Sequence, residues 1–368
     1  MCFFDVVLLF EKLRTQTYVT CHTWVVRSES MMRVRTIVLS SLVAYVGTFA
    51  DVTELAAEIT AVATDEGVTI EVDGAPFAKY VTKSGKKPIV WPIIGPTGKE
   101  MTRGYPMRDA TESEASDHIH HRSLWFSHGD VNGVSFWDEE RRSGSIVHRE
   151  FLRVSGGSEA IVATRNDWLD DDDDPVCSDV RVLTFGAADD RRWIDFDITI
   201  HASAGEVKFG DTKEGTFGVR VPGTMKVDAK LGGHIVNSVE ATDKDTWGKR
   251  ASWVDYYGPV EGETLGIAIL NHPTSHQFPT YWHVRTYGLF AANPFGLHNF
   301  ENSNDVDGSY TIQPGDSLTL RYRVLLHKGD ADEGRIPEAF VEYAKLDKNA
   351  LTAAALQETS AASAGAAP

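Results

Sequence analysis

From Gly67 to about Lys328, branched and aromatic residues alternate with polar ones at period two, and Gly, Asp and Asn break the alternation at short intervals. The runs "VTIEVDG", "GSIVHREFLRV", "EAIVATRNDWL", "SDVRVLTFGA", "RRWIDFDITIHA", "TLGIAIL" and "SLTLRYRVLLH" each read as strands with one wet face. They recur at hairpin spacing with no helical period between them. This predicts an all-β fold, a large antiparallel two-sheet sandwich over residues 51–334. The acid run Asp170 to Asp174, closed by Pro175, predicts a turn between strands. It lacks the alternate-ligand pattern and glycine of a calcium loop. Only near the end does the period become helical. "EGRIPEAFVEYAKLDK" predicts a short C-terminal helix over 335–348, and the Ala/Ser-rich run 349–368 predicts a disordered tail.

The other end has a different grammar. Residues 1–30 show no clear period and predict an extension outside the fold. After Met31 and Met32, two arginines precede an apolar run that ends in small residues near Ala50, the pattern of a secretory signal over 31–50. A start at Met31 or Met32 and a periplasmic or extracellular location follow as expectations. Without the first fifty residues, Cys177 is the one cysteine left, which leaves no internal disulfide and no Cys-based metal site. No stretch after the N-terminal region is long and apolar enough to span a bilayer. The formal net charge of −17 argues against nucleic acid or an anionic membrane surface as partner, and leaves sugars open. Oligomeric state is not legible.

Titratable side chains crowd into "DHIHHRSLWFSHGDVNGVSFW", which holds four of the chain's 13 histidines. In an extended segment His118 and His120 share one face, with His121 on the other. A His-x-His pair can ligate a divalent metal or line a sugar pocket, or it can be a hydrogen-bonded polar seam. Arg122 follows, and His128 is expected in a turn beside glycines, where it would meet a ligand. In "FGDTKEGTFGVRV", Lys213 beside Glu214 can tune a carboxylate or be a solvated turn. Arg220 lies on an otherwise apolar strand, so its charge requires a partner or an anionic ligand. In "NHPTSHQFPTYWHVRTYGLFAANPFG", His272, Tyr281, Trp282, His283, Arg285 and Asn293 are candidates to contact a ligand. Aromatic faces with interleaved polar tips suit a sugar, and core aromatics are the alternative. Glu301 in a following loop can be a general base or a plain loop acid.

The stretches "DHIHHRSLWFSHGDVNGVSFW", "DTKEGTFGVRV" and "YWHVRTYGLFAANPFG" resemble a bacterial family of unknown function, abundant in planctomycetes and often labelled "methane oxygenase PmoA". More distantly, "FENSNDVDGSYTIQPGDSLTLRYRVLLH" is similar to the ending of galactose mutarotase-like proteins. That resemblance implies a supersandwich with a carbohydrate groove, Glu301 at the base position, and His120 or His121 with Arg122 polarising the substrate. Together these readings lead to a secreted protein doing acid/base chemistry on a glycoside or sugar acid. Glu214 or Glu301 would exchange a proton with His118, His121 or His283, without a cofactor, and the reaction would be epimerisation, elimination or hydrolysis. Two alternatives stand beside it: a non-catalytic carbohydrate-binding domain, and a metal-dependent oxidoreductase using His118, His120 and a further ligand.

Overall fold

The computed structural model describes residues 57–357. The expectations for the extension and signal over 1–50, and for the last eleven residues of the tail, fall outside them. The chain first lays down β1 (Ile59–Thr64), β2 (Gly67–Val72), β3 (Ala75–Ser84), β4 (Lys87–Ile93) and β5 (Leu124–His128) in one sheet. It then crosses to a second sheet for β6 (Ser145–Ser155), β7 (Ala160–Leu169), β8 (Pro175–Ala188) and β9 (Arg191–His201). After β10 (Val207–Phe209) it returns with β11 (Gly215–Arg220), goes back for β12 (His234–Asn237), β13 (Trp253–Val260) and β14 (Glu263–Asn271), and returns again with β15 (Tyr281–Val284) and β16 (Leu289–Asn293). A single helical turn, α1 (Leu297–Phe300), leads to β17 (Tyr310–Ile312), which pairs with β10, and β18 (Ser317–Lys328) closes the second sheet. The strand orders are β1-β2-β3-β4-β5-β11-β16-β15 and β12-β13-β14-β18-β9-β8-β7-β6. The fold is therefore the expected all-β, two-sheet antiparallel sandwich.

Period two explains the sandwich. In β9, Ile194, Phe196, Ile198 and Ile200 point into the core, and Trp193, Asp195, Asp197 and Thr199 point away. The two sheets meet through rings. Phe126 lies 6.3 Å from Phe196, and Phe217 stacks on Tyr322 at 4.7 Å. Each such fully buried side chain contributes roughly 2 kcal/mol of transfer free energy. The run from Asp170 is the expected turn, with its own Oδ1 accepting the backbone N–H of Asp172 and Asp174. Cys177 is free and buried.

Two departures lie at the C-terminus. The predicted helix is shorter, α2 (Ile336–Ala344), and packs Ile336, Ala339 and Tyr343 against Ala268, Leu270 and Leu325 on the outer face of the second sheet. The expected tail is instead helical through α3 (Lys348–Gln357), because Lys348 and Ala355 dock on that same face. Composition alone does not reveal that docking.

Candidate functional site

Trp125, Gly218, Ala291 and His283 form one cross-strand row on the outward face of the first sheet. Side chains between the indole and the imidazole are thus among the smallest available. A Cβ at Gly218 would meet the Trp125 ring at 2.6 Å, so the indole can lie across this floor only over a glycine. Above it opens a cleft of about 390 Å³, lined by His118, His120, His121, Asp138, Lys213, Glu214, His283, Arg285 and Tyr287. Three distant segments of sequence converge here.

The His118 segment is not extended as expected. His118 has φ 44°, in the left-handed region, and the N–H of His121 bonds the His118 carbonyl at 3.0 Å. This turn gathers His118, His120 and His121 on one cleft wall instead of alternating them. Arg103 holds it closed by donating to the carbonyls of Ala115, His118 and His121 and to Asp117. His118 stacks between Tyr287 (5.7 Å) and His121 (4.8 Å), and His121 stacks in turn on Trp125 at 5.3 Å.

The protonation states follow from partners. A guanidinium only donates, and Arg220 Nη1 lies 3.1 Å from His121 Nδ1. Nδ1 is therefore bare, and His121 carries its proton on Nε2. Burial, then the neighbouring His120 and Arg220, hold it well below the usual imidazole range. His283 has the opposite tautomer. Its Nδ1–H donates to the Lys213 carbonyl at 2.7 Å, which leaves Nε2 as an acceptor. Burial lowers His283 to about 4, against the pull of Glu214. Burial also lowers His120 to about 4, with Lys87 adding to the effect. Of these neutral rings, His121 thus offers an N–H and His283 a lone pair at pH 7. Lys213 and Glu214 form an ion pair at 2.5 Å, with both side chains partly in solvent.

Several candidates lie elsewhere, each for a readable reason. Arg122 is bound through two nitrogens to Glu139, which also accepts from buried Lys87. His128 ends β5 inside the core between Phe209 and Phe295, and its Nε2–H donates to the Gly210 carbonyl at 2.8 Å. His272 directly follows β14 of the second sheet, edge-on to Tyr343 of α2. Trp282 alternates to the core side of β15 and donates to the Ala251 carbonyl. Asn293 braces the backbone at Thr212, just before Lys213. Tyr281 and Glu301 bond each other at 2.7 Å, and neither lines the cleft. Arg220 sits behind the cleft, and burial brings it down to about 10. Its partners are Asp117 and His121, with Tyr287 under its guanidinium at 4.9 Å. Sequence reasoning missed Asp138, which lines the cleft, and Arg103, which closes the turn. Nothing in "MTRGYPMRD" sets that arginine apart. For a metal, His118 and His120 gain no third ligand. No group of three or more His, Cys, Asp or Glu is arranged to hold an ion among the described residues.

The molecule is thus a two-sheet β-sandwich with a histidine-rich cleft on one outer face. Residues 67–341 match the model of a family of unknown function, DUF6807, and the chain belongs to that family. The family has no assigned activity, so it lends the methane oxygenase label no support. No curated protein matches the sequence. Among solved structures the chain is similar to a beta-arabinopyranosidase, at 10% identity and TM-score 0.30, over 74% of this chain and 38% of that one. It is also similar to an alpha-galactosidase from Geobacillus stearothermophilus solved with raffinose, at 10% identity and TM-score 0.33, over 75% and 41%. A third is an alpha-galactosidase from Lactobacillus brevis, at 10% identity and TM-score 0.29, over 75% and 40%. The chain spans about two fifths of the length of these structures. Likenesses of this size say nothing about the chemistry of the cleft. No helix among the described residues is long and apolar enough to cross a membrane.

Proposed function

We propose that the cleft binds a carbohydrate or sugar-derived small molecule and performs acid/base chemistry on it. The observation that carries this reading is the meeting of His118–His121, Lys213–Glu214 and His283–Tyr287 around one small hollow. Glu214 exchanges a proton with the substrate, and Lys213, its ion-pair partner, positions the carboxylate. His283 accepts through Nε2, and the Nε2–H of His121 donates to charge that develops on a substrate oxygen. Tyr287 and the stacked His118 supply a flat wall for the C–H face of a sugar ring. Epimerisation, elimination and hydrolysis all fit this set. The apolar run over 31–50 supports export to the periplasm or beyond.

The test is a screen of purified protein against neutral and acidic glycosides, followed by Glu214→Gln on any substrate found. A loss of roughly 10²–10⁴ in kcat with an unchanged melting temperature is expected. Binding without turnover across the screen would make the protein a carbohydrate-binding module instead.

A further inference from the structure

Arg285 is the lining cation of the cleft with no carboxylate partner among the described residues; the other, Lys213, is neutralised by Glu214. The Arg285 guanidinium lies over the rings of Trp247 at 5.7 Å and Tyr287 at 5.8 Å. Aromatic faces orient a guanidinium while leaving its N–H fork free for a ligand.

A second observation comes from the rings packed against His121. The indole nitrogens of Trp125 and Trp137 are buried without a hydrogen-bond partner among the described residues. Their rings stand 5.3 and 5.5 Å from that of His121. An indole nitrogen only donates, and His121 adds its own Nε2–H. Buried donors without acceptors are uncommon in folded proteins, and two of them pack against the His121 ring that lines the cleft. The acidic groups of the cleft are elsewhere engaged: Glu214 by Lys213, and Asp138 by the Ser135 hydroxyl at 3.0 Å. In a chain of formal net charge −17, a guanidinium with no carboxylate partner among the described residues, lining one cleft with the His121 N–H, is a local bias toward anions.

We propose that the ligand of this cleft is a uronic acid, whose ring carboxylate pairs with the N–H fork of Arg285. This rests on the reading of the cleft as a carbohydrate site and adds the charge of the substrate to it. A carboxylate matches a planar guanidinium through two parallel hydrogen bonds, which a neutral hydroxymethyl group does not reproduce.

The full chain is titrated calorimetrically with the methyl glycosides of glucuronate and galacturonate and with those of glucose and galactose. Each pair differs by a carboxylate in place of a hydroxymethyl group. One uronide is expected to bind about tenfold to a hundredfold more tightly than its neutral partner. Arg285→Met should bring that uronide down to the affinity of the neutral sugar for the wild type, and Arg285→Lys, which keeps charge without the fork, should fall between. Arg285 is exposed, so the variants should fold, and their melting temperatures check this. Equal affinity within each pair, or a preference that survives Arg285→Met, overturns the uronic acid assignment and leaves the carbohydrate reading standing. Binding of none of the four sugars overturns both.

Discussion

Both outer faces of the sandwich carry dense charge, and they use it differently. On the second sheet, Asp195 accepts from Arg323 and Lys348, and Asp197 from Lys348 and Thr352. Helices α2 and α3 cover this cluster, and Arg323 lies over the Tyr343 ring at 4.7 Å. Each charge there has an opposite charge within reach. On the first sheet the floor is open, and Arg285 has no carboxylate partner among the described residues. Charge density therefore does not distinguish a site from a structural network. What distinguishes them is whether each charge meets an opposite charge within the fold, as Asp195 and Asp197 do and Arg285 does not among the described residues.

The sharpest way to break this contrast is to remove a charge from each face. Lys348→Met leaves Asp195 and Asp197 facing each other beneath α3, and a buried pair that loses one partner is destabilised by about 3–5 kcal/mol. Glu214→Gln removes a charge from a pair partly in solvent and should cost under about 1 kcal/mol. Urea denaturation of both variants measures the difference. Equal losses would mean that the cleft is a structural network as well.

A second variant separates structure from binding at one residue. By sequence Arg122 reads as a ligand contact, next to three histidines. In the fold it is committed to Glu139, and Lys87 shares that carboxylate at 3.2 Å. Arg122→Met should cost about 2–3 kcal/mol in urea, smaller than the Lys348 effect because Lys87 still faces Glu139. A stable Arg122→Met variant that fails to bind sugar would make it a ligand contact after all.

Arg122 also shows what is legible in sequence. Strands are local, so period two reveals β2, β6, β7, β8, β9, β14 and β18 directly. The three segments of the cleft stand out by the density of their titratable and aromatic residues. Roles within them do not, because each depends on a partner distant in sequence. Glu139 claims Arg122, Gly210 claims His128, and Ala251 claims Trp282. The same limit hides Arg103, whose acceptors are backbone carbonyls, and it hides α3, whose anchor Lys348 meets acids on β9. Parity along a strand is reliable where the strand exists. It fails at His118–His121, where a turn with a left-handed His118 replaces the extended segment.

The smallest predicted effect contrasts the histidines of the two faces. His327, on β18, places Nε2 at 3.0 Å from the Asp255 carboxylate and Nδ1 at 3.1 Å from the Lys328 carbonyl. Both partners accept, so both nitrogens donate and the ring is cationic. Burial opposes this, but Asp255 prevails and His327 is raised above the usual imidazole range. In the cleft, His283 is lowered to about 4. The signs of the pH dependence are therefore opposite. Between pH 6.5 and about 4 the unfolded chain protonates His283 while the fold keeps it neutral, so its contribution to stability is lost as pH falls through that window. His327 binds its proton more tightly when folded. Its contribution is complete below about 6.5, the unfolded value, and is lost as pH rises through the raised value. Each differential proton changes the slope by at most about 1.4 kcal/mol per pH unit. His283→Asn, which keeps a donor toward the Lys213 carbonyl, should flatten the acid limb of a stability–pH curve. His327→Gln should flatten the alkaline limb. NMR titration checks the assignment ring by ring: at pH 6 the His283 signals should be those of a neutral ring and the His327 signals those of a cation. Two rings titrating together near 6.5 would erase the distinction between the faces.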